Sequence, residues 1–252
     1  MESAARDSDE PPTVGVVGTQ EETVERIRTA VSKANAVPLA GDAASVGDAA
    51  FVVAVGERAL GDLATAAVDV PVLPVAAGGG VRSVAADAAT TAIRAVLEDD
   101  VPRTTRRGFA VHVGDERHDA VFDVTLVTTE PARISEYRVA ADGDEVSQFR
   151  ADGVVVATPA GTHGYARAAG APVVAGGTAV ATVVPIAPFA IDTDHWVVSQ
   201  EDVVLSVERD EGSVSLLVDD RPAGTVDPAV PVRLSPGHEL EILCPPQSEP
   251  PW

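Results

Sequence analysis

The chain has 252 residues, 45% of them hydrophobic and only 4% aromatic, with 39 acidic against 18 basic residues and a formal net charge of −21. That length suits one large domain or two modest ones, and the charge speaks against a nucleic-acid backbone or an anionic membrane as the main partner. Cys244 is the single cysteine, which excludes a disulfide framework and a thiolate metal site.

No apolar run reaches membrane-spanning length, and the opening "MESAARDSDEPPT" is acidic rather than a basic signal peptide, so a soluble cytoplasmic protein is expected. The five histidines are too far apart for a zinc motif on one helix, and no metal site is expected from them. Lys33 is the only lysine among abundant Asp, Ala and Val. This bias resembles proteins of salt-loving archaea, where salt screens the self-repulsion of an acidic surface.

In chain order, "TVGVV" (13–17) reads as a buried strand, and "EETVERIRTAVSKA" (21–34) as a helix with Val24, Ile27 and Val31 on one face. "FVVAV" (51–55) predicts a second strand, "ERALGDLATAA" (57–67) a helix, "VPVLPV" (70–75) a third strand and "VRSVAADAATTAIRAVLEDD" (81–100) a long helix. Such alternation implies a parallel sheet. After Val101 the runs "FAVHV", "AVFDVTLVT", "ARISEYRVA", "DGVVVAT", "AVATVVPIA", "HWVVS", "DVVLSVE", "SVSLLVD", "VPVRL" and "LEIL" predict a mostly antiparallel β domain. The expected organisation is a disordered tail over 1–12, an α/β domain over 13–101, a β-rich domain over 102–245 and a tail over 246–252.

An α/β domain followed by a β domain commonly places a ligand between them. "DGVVVATPAGTHGYARAAGAPVV" (152–174) has the composition to line such a cleft. Gly161 and Gly164 permit close backbone approach, Thr158, Thr162 and Tyr165 bring hydroxyls, and the following Ala-rich run would turn N–H groups toward a phosphate. An ordinary strand–turn–helix connection fits the same residues equally well. No G-x-x-x-x-G-K-[ST] or G-x-S-x-G motif is present.

The same stretch resembles the segment DG-(apolar)-STPTGSTAYxLSAGGPIV of the ATP-NAD kinase family, matching at Asp152, Gly153, Thr158, Pro159, Gly161, Tyr165, Ala169, Gly170, Pro172 and Val174. Weaker likenesses are "VVPIAPFAI" to TPxxPH, "LLVDDRPAG" to a strand with a DGQ turn, and "VPVLPVAAGGGVRSV" to PVLGxNxGxLGFL. The resemblance is to a divergent, haloarchaeal-type member. It implies a Rossmann-like α/β domain plus a mostly antiparallel β domain, and phosphate transfer from ATP, with magnesium, to the 2′-hydroxyl of NAD. It implies nucleotides as partners in a dimer or tetramer, with Asp123, Asp152, Thr158, Gly161, Thr162 and Tyr165 toward NAD. At the place of the family's GGDGT stand Val55, Gly56, Glu57, Arg58 and Ala59. Glu57 would then be the catalytic carboxylate, and Gly56 and Arg58 would meet ATP. At the place of the family's Asn-Glu/Asp pair stand Phe122 and Asp123, and Arg82 takes that of the aromatic in LGFL. Because two motif glycines are replaced, a catalytically silent dinucleotide-binding relative is the alternative. A kinase acting on another hydroxyl, of the lipid-kinase type, fits the 158–165 loop less well.

Overall fold

The computed structural model describes residues 10–130, 133–191, 193–210 and 212–250. Most of the expected N-terminal tail therefore lies outside the described residues.

The α/β part comprises β1 (Thr13–Gly18), α1 (Glu21–Lys33), β2 (Val37–Ala40), β3 (Phe51–Val55), α2 (Glu57–Thr65), β4 (Val72–Val75) and α3 (Ala89–Glu98). Its strands run parallel in the order β2-β1-β3-β4. Strand side chains alternate between faces, so Phe51, Val53 and Val55 pack with Ile27, Val31, Ala92 and Ile93 on the α1/α3 side, while Val52 and Ala54 pack with Leu60 and Leu63 of α2. Glu21 and Glu22 in the first turn of α1 and Lys33 in its last complement the helix dipole.

The β part comprises β5 (Arg103–Val113), β6 (Glu116–Ala120), β7 (Asp123–Thr128), β8 (Ser135–Ala141), β9 (Asp144–Ala151), β10 (Gly153–Ala157), the single turn α4 (Tyr165–Ala168), β11 (Val180–Ile186), β12 (Trp196–Ser199), β13 (Val203–Arg209), β14 (Val214–Val218), β15 (Arg221–Val226) and β16 (Val232–Leu243). One sheet is antiparallel in the order β12-β11-β10-β7-β14-β15. Its inner face buries Val124, Leu126, Val154 and Leu216 against Phe109, Tyr137, Leu205 and Leu234 of the other sheet. Truncating a leucine in this core to alanine costs about 2–5 kcal/mol. β16 joins the two parts: it pairs antiparallel with β5 and β13, and at Ile242 it pairs parallel with Val72 of β4. The parallel sheet thus continues into the β part.

Four local expectations need correction. The helix expected over 81–100 begins only at Ala89, after a 3-10 turn at Gly79–Val81. The backbone of Val84 is used in pairing instead, donating to the Pro74 carbonyl and accepting from Ala76 N–H, both at 2.9 Å. "VPVRL" and "LEIL" form one strand, β16, bulged between Pro236 and Glu239. Strands β2, β6, β9 and β15 were not expected; their turn-rich or charged sequences lack the apolar alternation that marks a strand. Finally, residues 246–250 do not trail away. Ser248 bridges to Val84, and Glu249 N–H donates to the Ser83 carbonyl at 2.9 Å.

Candidate active site

The ends of β3, β10 and β14 and the start of β7 converge on a cleft of about 70 Å³, lined among others by Glu57, Gly78, Asp123, Gly161, Tyr165 and Asp220. A larger groove of about 560 Å³ lies between α1 and residues 86–90, but it is walled by Glu21, Glu22 and Glu25 and contains none of the motif residues.

Glu57 is the first residue of α2, and Gly56 is its N-cap with φ +83°. With ψ 162° it lies in an extended positive-φ region that is essentially glycine's own and costs a side-chain-bearing residue on the order of 1–3 kcal/mol, so glycine fits that turn. The Glu57 carboxylate faces the glycine triplet: a Cβ placed on Gly78 would lie 3.0 Å from Oε1. Burial, then the nearby Asp220 and Asp219, raise the Glu57 pKa. Arg58 is exposed, outside the lining residues of the cleft, and its carbonyl accepts from Arg221 Nη2 at 2.8 Å. Arg221 also pairs with Asp62 at 2.7 Å, holding the first turns of α2 against the β14–β15 turn.

Asp123 is 5% exposed and accepts from Thr125 Oγ1 at 3.3 Å. Burial, then the charges of Asp219 and Asp220, push its pKa up to about 7, against the Thr125 hydrogen bond. Asp219 in turn accepts the N–H groups of Val121 (2.8 Å), Phe122 (2.7 Å) and Asp123 (3.1 Å). Burial raises the Asp219 pKa in spite of those three bonds and the pull of Arg221.

The turn after β10 is held from within. Thr158 Oγ1 donates to the Val121 carbonyl at 2.7 Å, and Thr162 Oγ1 donates to the Pro159 carbonyl at 2.8 Å while accepting Val174 N–H at 3.1 Å. Both threonines are fully buried. Their hydroxyls therefore shape the turn rather than line the cleft. Gly161 abuts the Phe122 carbonyl and Gly80 abuts the Ala160 carbonyl, so neither has space for a Cβ. Tyr165 is 44% exposed at the cleft. Its phenol pKa is raised by burial and then by Asp123, Asp220 and Asp152. The helix expected to offer N–H groups to a phosphate is only the four-residue turn α4.

Glu57, Asp123, Gly161 and Tyr165 are thus brought together, with Gly56 directly behind Glu57. Asp152 is outside the lining of the cleft, although its charge reaches Tyr165. It precedes β10 at the end opposite the turn, exposed, with its carbonyl accepting Thr128 N–H and its N–H donating to the Ile186 carbonyl. Arg150 lies farther along that end, its guanidinium 5.7 Å from the centre of the Phe189 ring. Asp219, Asp220 and His163 were not singled out from the sequence. The "VDD" of the DGQ-like turn was the available signal for the two aspartates. His163 has its pKa lowered by burial and then by Arg167 and Arg106.

Residues 122–241 match the family model of the ATP-NAD kinase C-terminal domain. An NAD kinase of Methanothermobacter thermautotrophicus is 31% identical over 138 residues, 54% of this chain and 49% of that protein. One from Methanopyrus kandleri is 30% identical over 175 residues, 68% of this chain and 63% of that protein. The chain thus spans between about half and two thirds of the length of these relatives. The fold is shared with yeast NADH kinase complexed with NADH (TM-score 0.78, 15% identity, 96% of this chain and 85% of that one). It is shared also with an NAD kinase from Archaeoglobus fulgidus in complex with ATP (TM-score 0.72, 21% identity, 92% of each chain).

Proposed function

We propose that this protein is an NAD kinase, transferring the γ-phosphate of ATP to the 2′-hydroxyl of the adenosine ribose of NAD. The observation that carries this reading is the meeting of Glu57 and Asp123 in one cleft, across the end of a segment that matches the kinase C-terminal domain model. Phosphoryl transfer asks the protein mainly for positioning and charge. Here Glu57 is the base that takes the 2′-hydroxyl proton. Its pKa, raised by burial and then by Asp220 and Asp219, makes it a stronger base than a solvated glutamate. Asp123 and Tyr165 hold the ribose and the dinucleotide, and Gly161 lets the ligand approach the backbone. Gly56 and Arg58 lie on the ATP side. Asp152, outside the cleft lining but with its charge reaching Tyr165, serves NAD at the edge of the site.

Magnesium arriving with ATP would neutralise charge on its phosphates. The donor set suits that ion: Asp220 and Glu57 are carboxylates in mutual electrostatic reach, and magnesium on nucleotide phosphates takes only one or two protein oxygens. Among the described residues no helix is long and apolar enough to cross a membrane, in keeping with a cytoplasmic enzyme. The lysine-poor, acidic composition supports a halophilic one. Phe189 (73% exposed), Ile191 (101%) and Val197 (53%) are large apolar side chains left in solvent, of the kind a second copy would cover in a homo-oligomer.

The test is NADP formation from NAD, ATP and magnesium at molar KCl, with NAD binding measured in parallel. Wild type should turn over, and Glu57→Gln should fall by roughly 10²–10⁴-fold with NAD affinity little changed. The Arg58 at a motif glycine's place favours one competing reading: NAD binding without turnover in wild type would make the protein a silent relative.

A further inference from the structure

The chain carries 39 acidic residues, yet its most deeply buried arginine has no counter-ion. Arg106 in β5 is 6% exposed. Nε donates to the Gly80 carbonyl at 2.8 Å, and Nη1 donates to Thr104 Oγ1 and to the Thr105 carbonyl, both at 3.0 Å. All three acceptors are neutral. No carboxylate of the described residues lies within ion-pair distance of Arg106, although Arg103, Arg107, Arg117, Arg138 and Arg221 each have one. Burial lowers the Arg106 pKa, against the pull of Cys244, and the like charge of Arg82 adds to the lowering. A buried charge without a partner is costly.

Nη2 hydrogen bonds to no described residue and is not sealed from solvent. Arg106 borders a chamber of about 170 Å³, which Thr105, Arg107, Thr178, Pro159 and Ala160 also line. Glu239 also lines the chamber, its carboxylate neutralised by Arg107 Nε at 2.7 Å. The backbone of Gly176 closes over the guanidinium; a Cβ there would come within 2.7 Å of Cζ and Nη2.

We propose that this chamber binds a small tetrahedral oxyanion of the phosphate class, with Arg106 Nη2 as its charged anchor and Thr105 and Thr178 as neighbouring hydroxyls. The bound anion supplies the counter-charge that the fold withholds. It also sits behind both walls of the acidic cleft, because Arg106 grips Gly80 and the chamber reaches Pro159 and Ala160. The proposal goes beyond the kinase reading and does not depend on it.

The experiment is calorimetric titration of the full chain with inorganic phosphate at fixed molar KCl, comparing wild type, Arg106→Gln, Thr178→Trp and Tyr165→Ala. Wild type should bind phosphate saturably, and Tyr165→Ala, which alters the cleft, should bind it equally well. Arg106→Gln should bind at least about tenfold more weakly, as expected on losing a charge-assisted contact. Thr178 is exposed on the chamber's edge, so Thr178→Trp should fill the chamber with the same effect, and it decides the matter if Arg106→Gln fails to fold. Absence of saturable binding in wild type overturns the proposal. So does undiminished binding in Thr178→Trp, or loss in Tyr165→Ala with retention in Arg106→Gln, which would put the ion in the acidic cleft.

Discussion

Asp219 holds Asp123 in both directions: its Oδ1 accepts the Asp123 N–H at 3.1 Å, and its own N–H donates to the Asp123 carbonyl at 3.0 Å. The same carboxylate takes the N–H groups of Val121 and Phe122, so the β6–β7 turn is wound around it. Asp219 thereby fixes the position of Asp123 and also raises its pKa by charge. The two effects separate by mutation.

Asp219→Asn leaves one acceptor oxygen and turns an amide NH₂ toward backbone donors. It should destabilise the fold by about 1–3 kcal/mol, the cost of a buried donor left unpaired. It should also lower the Asp123 pKa, because a like charge is gone. Chemical denaturation and carboxyl NMR titration read the two effects separately. An Asp123 pKa that does not fall would show that the charge of Asp219 does not contribute to it.

Asp123→Asn should stabilise the protein, increasingly so as pH rises. The unfolded aspartate ionises near 3.8, whereas the folded one keeps its proton to about 7. Between those values the native state binds the extra proton, so raising the pH costs stability, up to about 4 kcal/mol once both states are ionised. Asparagine removes that loss. Wild type and variant should therefore differ little at pH 4 and most at pH 8. A stability gap that is flat between these pH values would refute the buried, proton-holding Asp123.

The glycines of the site should divide into two classes. Gly80→Ala and Gly161→Ala drive a Cβ against the carbonyls of Ala160 and Phe122, so the turn must move, and each should cost upward of about 2 kcal/mol. Gly56→Ala meets no atom within 4 Å and is penalised only for its backbone conformation, φ +83° and ψ 162°, on the order of 1–3 kcal/mol. Equal losses at all three positions in thermal melts would contradict the close packing of the Gly78–Gly80 turn on the Pro159–Gly161 turn.

With a net charge of −21, the melting temperature should climb by several degrees between 0.1 and 2 M KCl, as the Debye length shrinks from about 10 Å to under 3 Å. NaCl should act alike, since the effect is screening. A melting temperature independent of salt would remove the halophilic reading of the composition.

The parallel sheet and its helices could be read from the sequence because "TVGVV", "FVVAV" and the spacing of Ile27 and Val31 carry their own period. The 81–88 segment misled for a physical reason: its residues are compatible with a helix, but Val84 is claimed by β4 and Ser248 from far along the chain. The site was partly legible in the same way. The turn at 158–165 announced itself by composition. Which hydroxyls would point outward did not, because Thr158 and Thr162 are turned inward by partners at Val121 and Pro159. Asp219 stayed hidden because its importance lies in three backbone N–H groups about a hundred residues away.

The pairing of β16 with β4, and of Ser248 with Val84, has a consequence for how the molecule is made on the ribosome. The strand that covers the β4 edge, and the segment that secures the Gly78–Gly80 turn, leave the exit tunnel more than 150 residues after their partners. Until then the nascent α/β unit has its β4 edge covered only at the Pro74–Ala76 end, by Val84, and leaves the Val72 end open, the kind of surface that recruits strands from other chains. The finished cleft is therefore among the last features to form in biosynthesis, and a stalled or prematurely ended chain would be inactive and prone to aggregate.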